Sequence, residues 1–200
     1  MIIIGITGTT GAGKTTALME LKKLGGHIID ADAVYHQLLE SNMALREELE
    51  DRFGSLTDET GKFQRKKLGA VVFADPEALA ELSAITFRYI GAAIEAELKQ
   101  AEEAGRTAAA IDAIRLFESG LDGRCAVTVA ITAPAEVRVC RIMAREGISE
   151  DYARARVAAQ PADEYFAEKC DHVLVNDCAT AGEFGAKAHA LFESILRNDI

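Results

Sequence analysis

The run Gly8-Thr9-Thr10-Gly11-Ala12-Gly13-Lys14-Thr15 follows directly on an apolar stretch ending at Ile6, and it constrains this chain more than any other segment. It matches G-x-x-x-x-G-K-[ST] in full. Glycines at such spacing cost backbone entropy on folding, so the loop needs a ligand to justify it. They let successive backbone N–H groups curl around an anion without Cβ clashes. A helix opening at Lys14 aims its unpaired N–H groups and positive dipole end at the same point. The expected ligand is a nucleoside triphosphate, ATP, held by Gly8, Gly11, Ala12, Gly13, Lys14, Thr15 and Thr16. Lys14 would face the β- and γ-phosphates, and the Thr15 hydroxyl would ligate Mg²⁺.

The rest of the chain supplies a fold for such a loop. Apolar runs at Ile2–Ile6, His27–Asp30, Thr107–Ile111, Ala126–Thr132 and His172–Asn176 read as strands, and most are rich in Val or Ile with little alternation. Strands of that kind are buried on both faces, which predicts a parallel sheet flanked by helices, an α/β fold. Lys14–Leu24 reads as the first helix, stopped by Gly25-Gly26, and Ala181–Arg197 as the last. Residues 33–106 are too long for one crossover helix and read as a helical insertion suited to binding an acceptor. Pro134–Lys169 forms a second helical excursion carrying Arg138, Arg141, Arg145, Arg154 and Arg156, the pattern of a lid. All of this fits one domain over residues 1–200.

Ala108-Ala109-Ala110-Ile111-Asp112 is an apolar run ending in an acid. An acid at the carboxyl end of a parallel strand lies near the ligand crevice. Asp112 is therefore expected to hold the Mg²⁺, directly or through water, unless it caps a helix.

The net charge of −10 argues against nucleic acid as a partner, while a local basic pocket still admits a small phosphorylated ligand. No apolar run reaches the roughly 20 residues of a membrane span, and the first residues lack the basic flank of a signal peptide. A cytoplasmic protein that binds no membrane is expected, as a monomer or small homo-oligomer. Cys125, Cys140, Cys170 and Cys178 form no close pair of the kind structural zinc uses, so buried, reduced core thiols are expected.

Guanine-reading N-K-x-D is absent, and the D-x-x-G at Asp58–Gly61 lies in a polar stretch that reads as a turn. A phosphate loop, a helical insertion and an arginine-rich lid together indicate a small-molecule phosphotransferase. The acceptor hydroxyl then needs a carboxylate. Asp30-Ala31-Asp32 ends the second strand, where an extended backbone would turn the two acids to opposite faces. Asp32 either meets the acceptor or caps the next helix.

In their order along the chain, these segments resemble the dephospho-coenzyme A kinase family. The resemblance is carried by "GITGTTGAGKTT", "IIDADAVYHQLL", "RFGSLTDETGKFQRKKLGAVVF", "IDAIRLFESGL", "RIMAREGISEDYARARVAAQ" and "CDHVLVN". It implies a P-loop kinase fold with a five-stranded parallel sheet, an acceptor-binding helical part and a lid. It implies transfer of the ATP γ-phosphoryl group to the ribose 3′-hydroxyl of dephospho-coenzyme A. Asp32 would be the general base, Arg141 and Arg145 the lid arginines, and Arg65 and Glu118 acceptor-side residues. His36 stands four residues after Asp32, where the family often has Arg, and is expected to face the acceptor. Thr86-Phe87 and Ile114-Arg115 also depart from the family pattern. A nucleoside, nucleotide or other small-metabolite kinase of the same fold, or a nucleotide-gated binding module without catalysis, is the alternative.

Overall fold

A computed structural model describes residues 1–198; the last two residues of the expected 1–200 domain lie outside it. The chain divides into two compact units, Met1–Ile29 with Ala101–Ile200, and Asp30–Gln100.

The first unit is built on a five-stranded sheet in the order β2-β3-β1-β4-β5. The strands are β1 (Ile2–Gly8), β2 (His27–Asp30), β3 (Ala108–Asp112), β4 (Val127–Thr132) and β5 (His172–Val175). β1 lies at the centre, parallel to β3 and β4, with Ile4 level with Ala110 on one side and Val127 on the other. Its neighbours are the continuous apolar runs that predicted a parallel sheet, and Ile4, Ile6, Ala109, Ile111, Val129 and Ile131 are fully buried.

Helix α1 (Lys14–Lys23) leaves the phosphate loop and packs against the last helix, α9 (Ala181–Arg197). Ala17 and Leu21 meet Phe184, Ala188, Phe192 and Ile195 in one core cluster. The α9 positions recur every three or four residues, the spacing of one helix face. Leu24 ends α1: Gly25 N–H donates to Lys22 O and Gly26 N–H to Leu21 O, each at 3.0 Å, the Schellman pattern that glycine at φ +88° permits. At the other end of the chain, Thr180 and Glu183 form a reciprocal capping box for α9. The lid segment folds as α6 (Ala135–Glu146), α7 (Glu150–Ala158) and α8 (Asp163–Lys169).

The second unit is helical: α2 (Ala31–Ser41), α3 (Met43–Phe53), α4 (Arg65–Val72) and most of α5 (Pro76–Glu103). Leu39, Leu45, Leu49, Leu56, Phe63, Leu68 and Val72 form its core. The insertion does not run through α2 and α3 as one helix: it breaks at Asn42, whose extended backbone and side chain, accepting from Leu45 N–H at 2.9 Å, start a new helix. Asp58–Gly61 is a turn, as read. Asp58 Oδ1 accepts from Thr60 N–H and Lys62 N–H, each at 3.0 Å, and Thr57 bridges Phe63 in antiparallel fashion.

The four cysteines are free thiols but none is fully buried, and Cys178 packs against the edge of the main core cluster. Cys140 is exposed and the other three are half-buried. Helix α6 buries Arg138, Val139 and Ile142, and its period turns Cys140 away from that stripe. Burial, reinforced by Asp122, still pushes the Cys125 thiol up to about 12. Among the described residues, no helix is long and apolar enough to cross a membrane.

Candidate active site

Glycine is required in the loop for two different reasons. Gly11 and Gly13 have φ of +81° and +103°, which bends the chain into the cradle, and Gly13 ends it as the residue before α1. Gly8 has φ +133°, and a Cβ there would stand 2.0 Å from Ile131 O, so the loop can leave β1 only by passing against the backbone of β4.

A cavity of about 460 Å³ opens over this loop. Thr9, Thr10, Gly11, Gly13, Lys14, Thr15, Asp112, Arg141, Arg145 and Arg156 contribute to its wall. The structure thus gathers residues expected from separate motifs, the loop, the acid ending β3 and two lid arginines, within the first unit. Lys14 Nζ lies 2.5 Å from Asp112 Oδ1. Gly8, Ala12 and Thr16 act as backbone: Ala12 is fully buried, and Thr16 N–H donates to Gly13 O at 3.0 Å. Thr9 is also buried, and its hydroxyl has no hydrogen-bond partner among the described residues.

Helix α6 brings three arginines to the loop at spacings of three and four residues. Arg138 is buried and donates from Nε to Thr10 O at 3.1 Å; its burial depresses its pKa. Arg141 Nη1 reaches Gly11 O and Ala12 O at 3.3 and 3.4 Å, and its Nη2 reaches Asn176 Oδ1 at 3.4 Å. Glu146 accepts from Arg145 at 2.6 Å and also from Arg156, and these bonds hold its carboxyl below the usual range. One acid thus tethers two of the cations beside the cavity.

Asp32, His36 and Arg65 belong to the second unit and are exposed. Two readings of Asp32 need correction. The chain becomes helical at Ala31, so Asp30 and Asp32 do not alternate along a strand. The cap is Asp30, whose Oδ1 accepts from Asp32 N–H at 2.9 Å and Ala33 N–H at 3.0 Å. Arg65 opens α4, where its charge partly offsets the burial that raises the Tyr35 pKa. Glu118, in the first unit, accepts from Tyr165 Oη at 2.9 Å.

Sequence reasoning missed Gln160 and Asn176. Asn176 is buried at the end of β5 and donates from Nδ2 to Ala12 O at 2.7 Å, which fixes the loop just before Gly13. A polar residue closing a strand at the sheet's carboxyl edge was the available signal. Gln160, two residues after α7, grips Thr10, and nothing in its local sequence marks it.

Comparison with known proteins agrees with this geometry. The profile of the family described as dephospho-CoA kinase matches residues 2–182. A dephospho-CoA kinase of Dehalococcoides mccartyi is 38% identical over 179 residues, covering 89% of this chain and 90% of that protein. A solved Thermus thermophilus structure superposes with a TM-score of 0.78 at 30% identity, covering 98% of this chain and 97% of that one. A solved dephospho-CoA kinase from Campylobacter jejuni gives 0.72 at 26% identity, over 99% and 98%.

Proposed function

The chain belongs to the dephospho-CoA kinase family, and from that premise we propose how its residues divide the work of moving the γ-phosphoryl group of ATP to the ribose 3′-hydroxyl of dephospho-coenzyme A. The protein is an ATP-dependent kinase, and this reaction is the last step of coenzyme A synthesis. The observation that carries the proposal is the convergence of Lys14, Asp112, Arg141 and Arg145 on one cavity over a complete phosphate loop.

Phosphoryl transfer proceeds mainly by positioning and charge stabilisation. Loop amides seat the β-phosphate, and Lys14 faces the oxygens on which charge builds. The buried Thr9 hydroxyl, which lacks a partner among the described residues, has in a phosphate oxygen the acceptor it needs. Arg141 and Arg145 neutralise the transferring group from the lid. Mg²⁺ suits the hard oxygen donors of Thr15 and Asp112, both on the cavity wall. Thr15 and Asp112 would hold it, and once bound it would supply positive charge that offsets the charge of the phosphates. In the helical second unit, Asp30–Gln100, His36 and Arg65 are the residues assigned to binding the acceptor. Asp32 orients the acceptor hydroxyl and takes its proton as the bond to phosphorus forms.

The test is ADP release, coupled to an indicator reaction, with dephospho-coenzyme A and a panel of nucleosides as acceptors. Release dependent on dephospho-coenzyme A, with coenzyme A identified by mass, is expected. Preferential turnover of a nucleoside, or tight ATP binding without turnover, would overturn it.

A further inference from the structure

Two side chains remote in sequence hold the phosphate loop at Thr10. Thr10 N–H donates to Gln160 Oε1 at 3.0 Å, and Gln160 Nε2 donates to Thr10 Oγ1 at 2.6 Å. Thr10 O accepts from Arg138 Nε at 3.1 Å, and Arg138 Nη2 donates to the same Gln160 Oε1. The three residues form a closed ring in which the backbone N–H, the carbonyl and the hydroxyl of Thr10 are all engaged.

The chemistry of the ring is selective. A carboxamide is a neutral group offering an acceptor and a donor in one plane, so it can meet Thr10 N–H and Thr10 Oγ1 together. A carboxylate would lack the donor, and an aliphatic side chain both. Arg138 has only donors, so its contact with Oε1 fixes which way the amide faces. Arg138 is just 5% exposed, which makes the loss of these bonds costly.

Thr10 itself lines the cavity. A loop that must wrap an anion loses conformational freedom on binding unless that freedom has been removed in advance. We infer that Gln160 is a positioning residue for ATP: acting through Thr10, it keeps the phosphate loop in its triphosphate-receiving shape, with Arg138 locking its amide. Four residues earlier, at the end of α7, Arg156 lines the same cavity. One short segment therefore sets both the loop and a cation beside it. The inference rests on the ATP-site reading above and is independent of the acceptor's identity.

Titration calorimetry of ATP into wild type and Gln160→Ala tests it, with melting temperature, KM and kcat measured on both. Removing the two direct hydrogen bonds to Thr10 is expected to raise the ATP Kd about ten-fold, at the usual worth of such bonds. KM for ATP should rise in parallel, while kcat and the dephospho-coenzyme A KM change by much less. A purely structural glutamine predicts a lower melting temperature with an unaltered Kd for the folded protein, and that result overturns the inference. If Gln160→Ala does not fold, Thr10→Val decides, since it deletes only the hydroxyl that Gln160 binds. About three-fold weaker ATP binding is expected there, and wild-type affinity refutes the idea. A wild type that binds ATP but phosphorylates a different acceptor refutes the proposed function and leaves this inference to the calorimetry. Conversion of dephospho-coenzyme A with unchanged ATP affinity in Gln160→Ala refutes this inference alone.

Discussion

Lys14 Nζ lies 2.5 Å from Asp112 Oδ1, joining the phosphate loop to the carboxyl end of β3. Two motifs 98 residues apart thus meet at one point of the cavity wall. Both groups are largely shielded, so the charge of Lys14 acts through less solvent than a surface lysine would. Lys14→Ala is expected to lower kcat by about 10²–10³, the usual cost of one such electrostatic contact. A folded variant with near-normal kcat would refute that role.

Arg141 and Arg145 both line the cavity, but their surroundings differ. Arg141 spans Gly11 O, Ala12 O and Asn176 Oδ1, so Arg141→Ala should disturb the loop as well as remove a charge. Arg145 instead donates to the neighbouring Glu146, and Arg145→Ala should act mainly through charge. Lower kcat/KM for ATP is expected in both, with the larger rise in KM for Arg141→Ala. Unchanged values in both variants would make them surface charges.

Gly8→Ala tests a part of the loop that the motif explains incompletely. Sequence treats Gly8 as part of an anion cradle, whereas a Cβ there would strike Ile131 O at 2.0 Å. With φ at +133° the substitution is strained as well. A stability loss of about 3 kcal/mol or more is expected from overpacking against backbone, visible in denaturant melts without nucleotide. A melt matching wild type would show that β4 can yield.

These cases show what local sequence can reveal. The strands were legible to within two residues because burial on both faces writes a continuous apolar run, and α1 because Gly25-Gly26 stops it. The break at Asn42 was not, because the apolar period continues across it from Leu38 to Leu45, two helical turns on. Loop, acid and lid arginines were legible through residue type and spacing. Gln160 and Asn176 were not, because their meaning lies in partners 150 and 164 residues away. The cap fell to Asp30 rather than Asp32 because the helix starts at Ala31, two residues sooner than an extended segment through Asp32 would allow.

Asp171 gives a pH dependence. Its Oδ2 accepts from Thr128 Oγ1 at 2.7 Å and Thr128 N–H at 2.8 Å, tying the start of β5 to β4. These bonds, the hydroxyl's first, hold the carboxyl below its ordinary 3.8. A depressed pKa contributes stability that is complete above the unfolded value and lost as pH falls through the folded one. The melting-temperature margin of wild type over Asp171→Ala should therefore be full at neutral pH and narrow below 3.8. A margin that stays constant into that acid range would mean the carboxylate charge contributes nothing.

Asp30 and Asp32 are two residues apart and are expected to separate stability from catalysis. Asp30 accepts from two backbone N–H groups that α2 leaves unpaired. Asp30→Ala should cost about 1 kcal/mol, and Asp30→Asn close to nothing, because Asn caps as well as Asp. Neither change touches the proposed chemistry. Asp32 sits in the first turn, exposed and relieved of capping. Asp32→Asn keeps its shape and one hydrogen-bond acceptor while removing the charge. If Asp32 takes the acceptor's proton, kcat should fall about 10²-fold or more, with ATP Kd little changed. Stability should shift only by the roughly 0.3–1 kcal/mol that an acid in the first turn contributes. Because the transition state is loose, the proton moves late and much of the loss would come from misplaced hydroxyl geometry. Measuring kcat, ATP Kd and melting temperature on Asp30→Ala, Asp30→Asn and Asp32→Asn separates the roles. Full turnover in Asp32→Asn, with turnover lost in Asp30→Asn, would move the base to the helix cap.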